Sequence, residues 1–195
     1  MNISVTIKGT NQILLHKYTV ATVSEPKSRL TRGKDSSNFS DEWKKGTYIG
    51  AKGIVVMPAA NILACLYDGA KGMKKGKTAL TRLVYTSLVV SPFEAEILHE
   101  GKTLTLADIE ENDLRHYSGA VVTGRRIDRI RTCLPIGWEI VFGITTKNED
   151  LSFEDIKAIV DNAGKSAGLG DWRPSSPKKP GSNGTFEIVG FEKTG

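Results

Sequence analysis

Between Trp138 and Ala163 the apolar residues change period, and no other feature constrains the fold as strongly. Trp138, Ile140, Phe142 and Ile144 recur at every second position, so an extended strand carries all four on one face. Shortly after, Ile156, Ile159, Val160 and Ala163 recur at the spacing of an amphipathic helix. Ser152-Phe-Glu-Asp155 stands ahead of them as a capping box in its Ser-x-x-Asp form. A strand and a helix that each expose one apolar face must bury those faces on partners, which points to layered α+β architecture.

The remaining segments extend this pattern. Ile3, Val5 and Ile7 alternate as a half-buried strand, and Gly53 to Met57 is a short apolar run that fits a buried strand end. Pro58 then sits where the first turn of a helix tolerates it; Ile62, Leu63, Leu66 and Tyr67 give helical spacing, and Gly69 ends the helix. Leu83 to Ile97 is rich in β-formers (Val84, Tyr85, Val89, Val90, Phe93), with Pro92 marking an edge or a bend. Val121 to Thr132 and Gly184 to Phe191 supply further strands. From about Ser24 to Lys45 the periodicity dissolves into a long irregular insertion within a single domain spanning residues 1–195. Without that insertion the order is βαββαβ, a ferredoxin-like or RRM-like antiparallel sheet that leaves one face open for a ligand.

Composition narrows the functional classes. The chain has 195 residues, 39% hydrophobic and 25% charged, in the range of an ordinary globular protein. Its net charge of +5 favours polyanionic partners. Cys65 and Cys133 lie far apart without metal-ligand spacing and read as two buried thiols in a reducing cytoplasm. His16, His99 and His116 occupy unrelated contexts, so no metal or other cofactor is expected. The N-terminus lacks the pattern of a signal peptide and no apolar run has the length of a membrane span, so a cytoplasmic location without membrane contact is expected. Lys71 stands where a phosphate loop ending in Gly76-Lys77-Thr78 needs its first glycine, which excludes a P-loop nucleotidase.

Candidate contacts to nucleic acid fall into four groups. Lys71, Lys74, Lys75 and Lys77, with Arg82 nearby, form an acid-free cationic loop, read as a strap over phosphates or as a solvated turn. Arg125, Arg129 and Arg131 share one face of a strand, where Asp128 points away from them; they form a phosphate-facing row or a cross-strand salt-bridge ladder. Trp172 and Arg173 follow the glycines of Gly168-Leu-Gly170 and pair a stacking plane with a guanidinium fork, though Trp172 equally fits a core cap. Arg29, Arg32 and Lys34 lie in the insertion. His116 after Asp113 reads as a general acid-base pair or as an ordinary surface histidine, and His99 is the other catalytic candidate.

Three places resemble the repeat-associated mysterious protein (RAMP) superfamily of CRISPR systems, in particular the backbone subunits that polymerise along guide RNA. They are Val55-Val-Met-Pro58-Ala-Ala-Asn61 entering a helix, the strand pair from Arg125 to Thr145, and the helix leading into Gly168-Leu-Gly170-Asp-Trp172 and on to Gly184-Thr-Phe186. The resemblance, which extends to a phage or mobile-element relative, implies a non-catalytic subunit that binds single-stranded guide-like RNA. It also implies head-to-tail copies of the chain and contacts to other effector subunits. Two alternatives stand beside it: a metal-independent endoribonuclease of the same superfamily, and a phage or mobile-element protein that uses its basic loops on other proteins.

Overall fold

The computed structural model describes residues 1–17, 41–122, 125–147 and 149–194. The chain is mixed α and β, and every strand pairing among the described residues is antiparallel. At the centre of the main sheet lies β1 (Asn2–Gly9), flanked by β12 (Phe186–Lys193) and β11 (Glu139–Thr146). The far edge of β11 takes β6 (Leu88–Ser91) along Gly143 to Thr146 and β7 (Glu94–His99) along Glu139 and Ile140. A cis Ser91–Pro92 bond lies in the bend between these two strands, where the sequence placed an edge or a bend. β3 (Val56–Pro58) and β8 (Lys102–Thr103) complete the sheet beside β7.

Alternation decides which face is covered. Ile3, Val5 and Ile7 of β1 and Ile140, Phe142 and Ile144 of β11 are buried under the helices, together with Trp138, whose Nε1 donates to the Asn11 carbonyl at 2.8 Å. Against them pack α2 (Ala59–Gly69), through Ile62, Cys65 and Leu66, and α5 (Phe153–Asn162), through Ile156, Ile159 and Val160. The Ser152 capping box forms as expected, with Asp155 N donating to Ser152 Oγ at 3.1 Å and Ser152 N to the Asp155 carboxylate at 2.9 Å. The two helices touch where Gly69 meets Ala163: a Cβ on Gly69 would stand 2.5 Å from the Ala163 Cβ. The opposite face of the sheet is open, and its outward residues include Lys8, Glu94, Glu96, Glu139, Val141 and Glu187.

Several expectations are corrected. Leu80–Ser87 is a helix, α3, and not the start of a β-rich run. Leu80, Leu83 and Val84 are its buried residues, and their helical spacing outweighs the β-propensity of Val84 and Tyr85. Within the stretch taken as irregular, Glu42–Gly46 is a short helix, α1, anchored by the buried Trp43; residues 18–40, with Arg29, Arg32 and Lys34, lie outside the described residues. The strands at Arg125–Leu134 (β10) and β11 do not pair. β10 belongs to a separate three-stranded sheet, between β2 (Ile13–Leu15) and β9 (Arg115–Val122). The sequence between Val121 and Thr132 therefore spans the end of one strand and most of another. The acidic run of Asp108, Glu110, Glu111 and Asp113 does carry the helix that its residues suggest, Leu106–Glu111 (α4), capped by Thr105 and Asp108. Among the described residues, no helix is long and apolar enough to cross a membrane.

Candidate nucleic-acid interface

Basic side chains gather in two regions. The first is the hairpin of β4 (Lys74–Lys75) and β5 (Thr78–Ala79), which projects from the end of α2. Gly72 and Gly76 turn it with φ of +80° and +59°, and a Cβ at either would meet nothing. Lys71 pairs with Asp68 at 2.6 Å and lies 5.6 Å from the centre of the Tyr67 ring. Lys75 reaches Asp155 at 2.6 Å, and that hydrogen bond is the main reason the Asp155 carboxyl is held below its ordinary value. Lys74 and Lys77, like Arg82 on α3, are exposed and have no carboxylate partner among the described residues.

The second region is built on the β9–β10 ribbon, where cross-strand pairing brings Arg131 opposite His116 and Arg129 opposite Ser118. Carboxylates answer both guanidiniums. Glu42 binds Arg129 and also accepts from the Ile130 amide, covering the free edge of β10. Arg131, 8% exposed, places Nε 2.8 Å from Asp171, close as an ion pair but without the alignment of a hydrogen bond. Its Nη1 donates to Ser118 Oγ at 3.1 Å, and its guanidinium lies 5.0 Å from the centre of the Trp172 indole. The Arg125 side chain lies outside the described residues.

Trp172 is held in the left-handed region, at φ +53°, an uncommon conformation for a bulky residue and one that concentrates at functional sites. It follows a π-helical turn at Ala163–Ala167 and the positive-φ residues Gly168 and Gly170. Backbone bonds tie this glycine turn down: Asp171 N donates to the Leu14 carbonyl at 2.8 Å and Leu169 N to that of Gly184 at 2.9 Å. The His116 ring meets the Trp172 indole edge-on at 5.8 Å. Arg173 is half-buried, with Nε on Ser175 Oγ and Nη1 on the Gly170 carbonyl.

On the other face of the ribbon, Arg115 lies 5.8 Å from the centre of the Trp43 indole and 5.9 Å from that of the Tyr117 ring. Tyr117 is 57% exposed. The sequence reading did not single out Trp43, Arg115 or Tyr117. The alternation in Arg115-His-Tyr117-Ser118 carried the signal, but only once β9 is seen to begin at Arg115. His16 lies beside Arg131, and His116 lies opposite Arg131 and against Trp172, while His99 stands apart at the end of β7, opposite Lys102. Among the described residues, no group of three His, Cys, Asp or Glu is arranged to hold a metal ion. Both cysteines are free, and burial pushes the Cys65 thiol up to about 12. No family model matches the chain, and no curated protein is significantly similar to it.

Proposed function

We propose that the chain is a non-catalytic RNA-binding subunit that assembles with copies of itself along single-stranded RNA, chiefly through phosphate contacts. The observation that carries this reading is the exposed Tyr117 ring beside the Arg115 guanidinium on the β9–β10 ribbon, backed by a cluster in which Trp43 and Arg131 are buried and Arg131 lies against Trp172. Exposed aromatic faces stack bases regardless of sequence, and the phosphates fall to the unpaired cations of the lysine hairpin, since Asp113 holds Arg115 and Asp171 holds Arg131. Lys74, Lys77 and Arg82 supply a second cationic surface; they have no carboxylate partner among the described residues, while Lys71 and Lys75 of the same hairpin are paired with Asp68 and Asp155. On the open sheet face Glu139 is paired with Lys8 and Glu96 with Lys52, which leaves Glu94 and Glu187 to disfavour a polyanion there.

The same reading takes the core as ferredoxin-like. The strand order β12, β1, β11, then β6 with β7, supports it, as do α2 and α5 packed together on one face.

Binding of a fluorescent oligouridylate, titrated with salt, tests the proposal. Each phosphate contact on a single strand contributes about −0.7 to the slope of log K against log salt. Replacing Lys74, Lys77 and Arg82 together with alanine is expected to make the slope shallower by up to roughly 2 at three contacts. An oligouridylate that does not bind at low salt, or a slope the triple variant leaves unchanged, refutes the assignment.

A further inference from the structure

Behind the glycine turn lies a pocket of about 190 Å³, enclosed by α2, the turn, and the side chains of His16 and Tyr48. Ala64 and Leu169 contribute apolar wall, while Asn61, Asp171 and Arg173 bring polar groups to it. Its size suits a single ring rather than the larger molecules that fill cavities of roughly 300–1,000 Å³.

The polar groups retain bonding capacity. The Asn61 side chain has one weak contact, to Met57 Sδ at 3.7 Å. Among the described residues, the His16 ring and the Tyr48 hydroxyl have no hydrogen-bond partner. Among the described residues, Arg173 is engaged through Nε and Nη1 but not Nη2. An amide carries both donors and acceptors, and a neutral imidazole one of each. The His16 imidazole is kept toward its neutral form, first by burial and then by the Arg131 guanidinium.

A carboxylate in the wall, Asp171, disfavours a phosphate here, and Asp68 acts on the Arg173 guanidinium, although Asp171 is also paired with Arg131 and Asp68 with Lys71. What fits is a flat, neutral ring with donors and acceptors on its edge. Aromatic walls and a hydrogen-bonding edge are how proteins hold a base removed from its stack. We infer that this pocket accepts one unstacked nucleobase of the bound strand; the inference rests on the RNA-binding reading above.

Nucleosides test the pocket without requiring strand binding. With the full chain labelled in ¹⁵N, uridine, cytidine and adenosine are titrated while the His16 ring and Asn61 amide resonances are followed, and inorganic phosphate is titrated separately. Nucleosides are expected to move both resonances and phosphate neither. Asn61→Leu is expected to weaken nucleoside binding about tenfold, within the range of one base-edge contact. His16→Gln serves as the second variant if Asn61→Leu folds poorly. Shifts caused by phosphate alone, or by nothing, overturn the inference. A labelled dodecauridine then separates the two readings. If it binds the wild type while nucleosides leave the pocket unmoved, the base pocket falls and RNA binding stands. If nucleosides occupy the pocket but the dodecauridine does not bind, the RNA reading falls and the base pocket stands.

Discussion

Removing Asp171 should expose how far the glycine turn depends on β10. Arg131 is 8% exposed, and its ion pair with Asp171 spans 2.8 Å. At an effective dielectric of about 20, that separation corresponds to a gross attraction of about 6 kcal/mol, most of it offset by desolvation. Deleting one partner of a buried pair costs about 3–5 kcal/mol. The Asp171 side chain is 28% exposed, so water can partly replace it, and about 3 kcal/mol is expected for Asp171→Ala. Arg131→Met keeps the apolar stem but loses the Ser118 hydrogen bond and the contact with Trp172, each worth about 1 kcal/mol. If the two residues act as a unit, the double variant should cost about 2 kcal/mol less than the sum of the singles, the size of coupling found between residues in one network. Urea unfolding followed by circular dichroism measures all four proteins, with m-values compared to confirm a common transition. A coupling below about 0.5 kcal/mol would show that the ion pair is incidental and that other contacts position Trp172. As Arg131 is buried and paired, Arg131→Met should also leave the salt slope of RNA binding within error, unlike the lysine hairpin.

Protonation of His16 should weaken the fold. Its folded-state value lies below the ordinary 6.5, so the unfolded chain takes up the proton first, and stability present above pH 6.5 declines as the pH falls through that value. The urea midpoint should be lower at pH 5.5 than at pH 7.5, with the difference reduced in His16→Gln; an equal or higher midpoint at pH 5.5 refutes this. Ser152→Ala removes the side-chain acceptor of the α5 capping box and should cost about 1 kcal/mol in urea unfolding, whereas no loss would mean that packing alone sets the helix start. Gly69→Val forces branched carbons into the contact with Ala163 and should cost at least 1–3 kcal/mol, the range for overpacking. An unchanged midpoint would show that α2 and α5 can separate freely.

Segments whose apolar residues repeat over several positions were legible without a structure. The inward face of β11, the α5 stripe with its Ser152 cap, the β1 alternation and the end of α2 at Gly69 all follow from local spacing, because one buried face imposes its period on the residues that form it. Where local signals compete, spacing was misread. Val84 and Tyr85 favour a strand by type, yet they lie in α3, whose Leu80, Leu83 and Val84 turn toward the core.

The candidate site was less legible, because its parts come together only through long-range pairing. The glycines of Gly168-Leu-Gly170 and the neighbouring Trp172 were visible as a feature of the chain, and so was the arginine row. That Asp171 takes Arg131 and Glu42 takes Arg129 depends on the turn meeting β2 and on α1 reaching the edge of β10, contacts between segments far apart in sequence. The periods of burial are written in the order of residues; which charges meet, and which remain exposed to a polyanion, was decided only when the three-stranded ribbon closed against the glycine turn.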